Sequence, residues 1–344
     1  MSGDRATPSS GQQAAAPTIF GINSSVAVTI VLVLPIIFTL AIYPNSFNLS
    51  WNEGRGGFIF AMAFIAAELI GTKQPVSKKK FLVVASLAAI AIAYFAALQF
   101  GLQDSIREAG LSYGIRKEVI GSWTFMWDFA VMALFVGASL AVLFGRKWYK
   151  IAPAGAIYLA GSAVILSLDA FFPYDSLGPL QVIVPGYLQI DQAVVRFIDA
   201  NIMAIGKGNV ATAHGNMLVL SGLHGPFVLQ VFWPSAGVHS MIIYTLVMLA
   251  FLLKMEIPLK RKLIYFAIGT FGTVTVNIIR IISLTMYALI VTVNPREWEA
   301  FHSVAGEIMF LPWLGIYLGI VMYVEGRRIR RLHNQQQASA TPAS

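Results

Sequence analysis

An arginine stands in the middle of a long apolar run: Arg280, in VNIIRIISL, within residues 263 to 292. An unpaired guanidinium at membrane depth costs several kcal/mol even on cautious scales, so something must compensate it. One reading is structural, a pair with an intramembrane carboxylate such as Glu68, Asp128 or Asp169. The other is chemical, a fixed cation facing a site, where its planar fork of donors holds a carboxylate or a developing oxyanion. Asn277, one turn earlier on the same helical face, is a second polar group that needs a partner.

Two more residue types nearby bear on chemistry. His302, in FHSVAGEIMF, precedes the last apolar run. Imidazole exchanges protons near neutral pH and so suits general acid–base work, although a lone histidine at an interface is otherwise simply solvated. Ser235 lies in PSAGVHSMIIY, residues 234 to 244. Its plain reading is a helix N-cap, since proline followed by a small hydroxyl residue is a helix start. Its chemical reading is a nucleophile at a helix N-terminus, where the dipole favours developing negative charge. His239, four residues on, is a local rival to His302 as the base.

The elements that must position these residues are membrane spans. Of 344 residues 57% are hydrophobic and 12% charged, against roughly 25% charged in a soluble domain. Apolar stretches recur at 24 to 43, 57 to 72, 81 to 101, 123 to 145, 151 to 172, 237 to 253, 263 to 292 and 306 to 324. At about 20 apolar residues per crossing, the expectation is an all-α polytopic membrane protein of about eight transmembrane helices. The net charge of +8 does not point to nucleic acid, because the basic residues cluster beside the apolar runs. Lys73 with Lys78, Lys79 and Lys80; Arg146, Lys147 and Lys150; Lys254, Lys260, Arg261 and Lys262; and Arg327, Arg328, Arg330 and Arg331 occupy alternate connections and the C-terminal tail. The positive-inside rule puts these groups and both termini in the cytoplasm, and 44 to 56, 102 to 122, 173 to 236 and 293 to 305 outside. The protein is thus read as multi-pass in the cytoplasmic membrane, with the candidate site facing outside.

Residues 1 to 18 and 333 to 344 are polar tails expected to be disordered, flanking one membrane-embedded domain over 19 to 332. The leader is too long and too weakly charged for a cleaved signal peptide. Within the outside segment 173 to 236, Val194, Val195, Ile198, Ile202 and Ile205 recur at helical spacing, which predicts an interfacial helix. The next stretch, NMLVLSGLHGPFVLQVFW, is apolar but broken by Gly222, Gly225 and Pro226, and is expected to dip into the membrane without crossing. Cysteine is absent, which excludes disulfides, thiolate catalysis and thiolate metal sites. No cofactor or metal is expected.

Taken in order, SAGVHSM at 235 to 241, NIIR at 277 to 280 and HSVAG at 302 to 306 resemble the exosortase and archaeosortase family of membrane-embedded, sortase-like enzymes. The resemblance covers about residues 150 to 325. It implies cleavage of a C-terminal sorting signal on secreted proteins, whose helical tail has a basic end, and transfer of the acyl group to an outside acceptor, a lipid among the candidates. It implies catalytic roles for Ser235, Arg280 and His302, with Asn277, Gly237 and His239 contacting substrate. One departure stands out: the family nucleophile is a cysteine, and Ser235 occupies its place. A serine hydroxyl is barely ionised at neutral pH and needs a base within hydrogen-bond reach. Three alternatives therefore stay open beside a serine-using enzyme: an inactivated form, a catalytically silent subunit of a membrane complex, and a transporter or channel lined by Glu68, Asp128, Asp169 and Arg280. Membrane lipids are partners in every case.

Overall fold

The computed structural model describes residues 18–19, 22–47, 54–70, 75–173, 181–206 and 210–340. The N-terminal tail, up to residue 17, lies outside them. The helices are α1 (Ser24–Ile42), α2 (Gly57–Leu69), α3 (Lys78–Ala97), α4 (Leu102–Ser112), α5 (Ile120–Phe144), the single turn α6 (Trp148–Ile151), α7 (Ala154–Phe171), α8 (Ile183–Asn201), α9 (His239–Lys254), α10 (Leu259–Ile290) and α11 (Pro295–Ala340). The strands are the two-residue pair β1 (Thr18–Ile19) and β2 (Ile22–Asn23), then β3 (Ala211–His214), β4 (Met217–Gly222) and β5 (Gly225–Gln230). The fold is all-α and polytopic, with a small sheet set at one end.

Among the described residues seven helical segments are long and apolar enough to cross a membrane, and α2 is a shorter apolar helix of 13 residues. At 1.5 Å per residue α2 spans about 20 Å, less than the roughly 30 Å of a hydrocarbon core. Its far end carries Glu68, which accepts from the Ala154 backbone N–H at 2.8 Å and from Lys254 Nζ at 3.0 Å. Lys80 Nζ donates to the Leu143 carbonyl at 2.8 Å, and Arg261 Nη1 to Glu325 at 3.1 Å. The basic connections thus gather at one end of the bundle, here the basic end. The sheet and the turn bearing Ser235 lie at the opposite end.

The stretch expected to dip into the membrane is instead the β4–β5 hairpin. β3, β4 and β5 form an antiparallel sheet with Leu218 opposite Leu229 and Leu220 opposite Phe227. The turns between strands use Gly215 and Gly225 at positive φ, where a side chain would be strained. Leu218, Leu220 and Leu229 face inward and pack with Val184, Leu188 and Val195 of α8 and with Ile281, Ala288 and Leu289 of α10. The hairpin is fastened to the end of α10: Leu223 N–H donates to the Leu289 carbonyl at 2.9 Å and His224 Nε2 meets the Ile290 carbonyl at 2.9 Å. A Cβ on Gly222 would collide with the Leu289 backbone, so the close approach requires glycine.

The predicted helix in 173 to 236 is α8. It buries Val184, Leu188, Asp191 and Val195 at helical spacing and leaves Ile202 exposed. The last helix continues through Ala340, past residue 332 where composition suggested that regular structure stops. Arg, Gln and Ala are good helix formers and simply extend the span.

Candidate functional site

Between β5 and α9 the chain makes a π-helical turn, Pro234–Val238, with Gly237 at φ 92°. Ser235 lies inside this turn and is not the N-cap of α9, a place taken by Val238 with no side-chain cap bond. The turn is pinned from several elements. Trp233 N–H donates to Gln181 Oε1 at 2.8 Å, and the Gln181 amide donates to the Val231 carbonyl at 3.1 Å. From α10, Asn277 Nδ2 donates to the Gly237 carbonyl at 3.1 Å and Arg280 Nη2 to the Ser235 carbonyl at 2.5 Å. A Cβ at Gly237 would collide with the Asn277 amide. Asn277 and Arg280, three residues apart on one helical face, therefore grip alternate carbonyls of the turn.

Arg280 is 9% exposed, and its Nε has no hydrogen-bond partner. The three carboxylates considered as its counterions are engaged elsewhere. Asp128 pairs with Arg55 at 2.7 Å, Glu68 with Lys254 at 3.0 Å, and Asp169 with His239 at 3.0 Å. Arg280 thus pairs with none of these three. Its neighbour on α11 is Gly306, where a Cβ would stand 3.3 Å from Nη1. The glycine of HSVAG leaves room for the guanidinium.

His302 stacks on Trp298, with ring centroids 5.1 Å apart and an interplanar angle of 11°. Its Nδ1 faces Glu299 Oε1 at 3.4 Å, a contact without the alignment of a hydrogen bond. Ser235, Trp298, Glu299 and His302 line one cavity of about 270 Å³ together with Ile281 and Leu284 of α10. Arg280 adjoins it through the Ser235 carbonyl and interacts electrostatically with His302. The structure so brings together Ser235, Gly237, Asn277, Arg280 and His302. His239 is placed differently, because its Nε2 is taken up by Asp169 and its ring packs edge-on against Trp233 at 5.4 Å.

Glu299 and Trp298, three and four residues before His302, were visible in the sequence at helical spacing but carried no motif. Gln181 comes from a distant segment with nothing local to mark it, while Asp169 was visible as an intramembrane acid but as a partner for Arg280 rather than for His239. A further buried acid sits beneath the sheet. Asp191 of α8 accepts from Thr285 Oγ1 at 2.8 Å through Oδ2, while Oδ1 has no partner. Burial pushes its pKa up to about 6, and the Thr285 bond offsets this only in part. Among the described residues no three His, Asp or Glu side chains gather into a metal-binding group.

Fold and site together define a polytopic membrane protein with a pocket at the sheet end of its last spans, largely apolar but bearing Ser235, Glu299 and His302. Comparison with protein families, curated proteins and solved structures finds no match for the chain.

Proposed function

We propose that this protein is an acyl-transfer enzyme of the exosortase and archaeosortase type, with the basic end in the cytoplasm and the sheet end outside. The observation that carries the reading is Arg280. It is a buried guanidinium that pairs with none of Glu68, Asp128 and Asp169, held on the Ser235 carbonyl at the edge of a cavity that Ser235 shares with His302. The orientation rests on the collection of basic connections at one end.

In this reading the Ser235 hydroxyl attacks a backbone carbonyl at the C-terminal sorting signal of a secreted protein. His302 accepts the hydroxyl proton and passes it to the departing amine, while Glu299 beside Nδ1 favours the tautomer that leaves Nε2 to exchange protons. Arg280 stabilises the oxyanion of the tetrahedral intermediate through donors not used on Ser235. A nucleophilic acceptor, a lipid or water, then releases the acyl group from Ser235. A transport path finds less support, since Glu68, Asp128 and Asp169 each already hold a partner.

The test is processing of secreted proteins bearing candidate C-terminal signals, followed by mass spectrometry. Ser235→Ala abolishes cleavage in a folded protein, whereas Ser235→Cys retains it, because a thiolate is the stronger nucleophile at neutral pH. Cleavage by Ser235→Ala at the parent rate removes the nucleophile and moves the silent-subunit reading ahead.

A further inference from the structure

At the basic end, the first turns of α10 and the late turns of α11 enclose a second pocket of about 430 Å³, lined by Arg261, Tyr265, Tyr323, Arg327, Arg328 and Arg331. Its floor is a fixed polar arrangement. Glu325, 2% exposed, accepts from Arg261 Nη1 at 3.1 Å and from the Tyr265 hydroxyl at 2.6 Å, with Arg328 Nη1 at 3.8 Å. Arg327 lies over the Tyr323 ring, 4.6 Å from its centroid. Four guanidinium groups and, among the described residues, no acid line the pocket, with the one carboxylate of Glu325 behind them.

Topology alone asks only for basic residues near the membrane; it does not ask for a cavity, a buried acid that orders two of the arginines, or a tyrosine platform under a third. The pocket also sits where the apolar segments end. Arg261 and Tyr265 open α10, Tyr323 stands at the end of the apolar run 306 to 324, and Arg327, Arg328 and Arg331 follow it. Tyrosine is favoured at that level because its ring is apolar and its hydroxyl is wet. From the pocket, exposed apolar side chains continue along both helices: Ile264, Ile268 and Phe271 on α10, and Ile316 and Ile320 on α11.

We propose that this pocket binds the headgroup phosphate of an anionic phospholipid, with the acyl chains lying along those exposed faces. Guanidinium forks match phosphate oxygens in pairs, and the surplus of positive charge selects an anionic over a zwitterionic headgroup. The apolar faces select a lipid over free phosphate.

The full chain, purified in a neutral detergent and stripped of lipid, is titrated with phosphatidylglycerol, phosphatidylcholine or inorganic phosphate while Tm is followed. Phosphatidylglycerol raises Tm by about 3 °C or more, phosphatidylcholine and inorganic phosphate do not, and the rise shrinks with added salt. The double variant R327Q/R331Q, and R331Q alone as a milder change at an exposed position, keep the lipid-free Tm and lose most of the rise. Native mass spectrometry of retained phosphatidylglycerol gives a second readout independent of unfolding. Equal effects of the two lipids, an equal effect of inorganic phosphate, or full retention of the phosphatidylglycerol effect by both variants would overturn the site.

Discussion

Two arginines are buried toward the sheet end of the bundle, and their surroundings differ. Arg55, 2% exposed, donates from Nε to Asp128 at 2.7 Å and from Nη1 to Ser46 Oγ at 2.8 Å, and its guanidinium lies over the Tyr43 ring. Tyr94 donates to the other Asp128 oxygen at 2.9 Å. Arg280 instead holds the Ser235 backbone carbonyl, and the buried acid Asp191 is held by a threonine rather than by a cation. In the N-terminal helices opposite charges cancel inside the core, as they do again at Lys254 and Glu68. Around the Ser235 turn the buried charges, Arg280 and Asp191, are kept apart. A cancelled charge serves the fold, whereas an uncancelled one is a cost to the fold that a ligand or a transition state can recover.

The largest effect expected from this contrast is at Asp128. Asp128→Ala leaves Arg55 buried without a counterion and is expected to lower stability by about 3–5 kcal/mol, read as loss of Tm in detergent. A loss below about 1 kcal/mol would show that the pair is not what holds these helices.

Asp191 comes next. Its folded pKa lies near 6, above the value of about 3.9 for an unfolded chain. The native state therefore retains a proton that the unfolded state has released. Stability is full below about pH 4, falls as pH rises from there to about 6, and is then flat, by about 3 kcal/mol in all. Asp191→Asn keeps the Thr285 bond and removes the titration. It should flatten that pH profile and protect α8 amides from exchange at neutral pH; an unchanged slope would place the titrating group elsewhere. The smallest stability effect belongs to Arg280→Met. Losing one hydrogen bond and relieving one buried charge nearly offset, so Tm should correspond to within about 1 kcal/mol of the parent.

The parts of this contrast that could be read from sequence are those set by residue type. The apolar runs and the alternating basic connections follow from composition, and Ser235, Asn277, Arg280 and His302 stood out because each is polar in apolar company. The sheet was hidden because Met217, Val219 and Val228, which face outward, are as apolar as Leu218, Leu220 and Leu229, which face the core, so the alternation carried no polar signal. The π-helical turn was hidden for another reason. Its shape rests on Asn277 and Arg280 gripping carbonyls from 40 and 45 residues away, and no local pattern encodes such a contact. Which acid partners which base was equally invisible, since Asp128 finds Arg55 73 residues away and Asp169 finds His239 70 residues away.

The central claim is that Arg280 presents an uncancelled positive charge to the atom at position 235. The chain has no cysteine, so Ser235→Cys places a single thiol there, and its rate of alkylation across pH reports the pKa of that thiol without any substrate. The account predicts ionisation well below the ordinary value of about 8.5, moving back up by about one unit or more when Arg280→Met is added. A thiol that titrates at or above the ordinary value, or one indifferent to Arg280→Met, would contradict it.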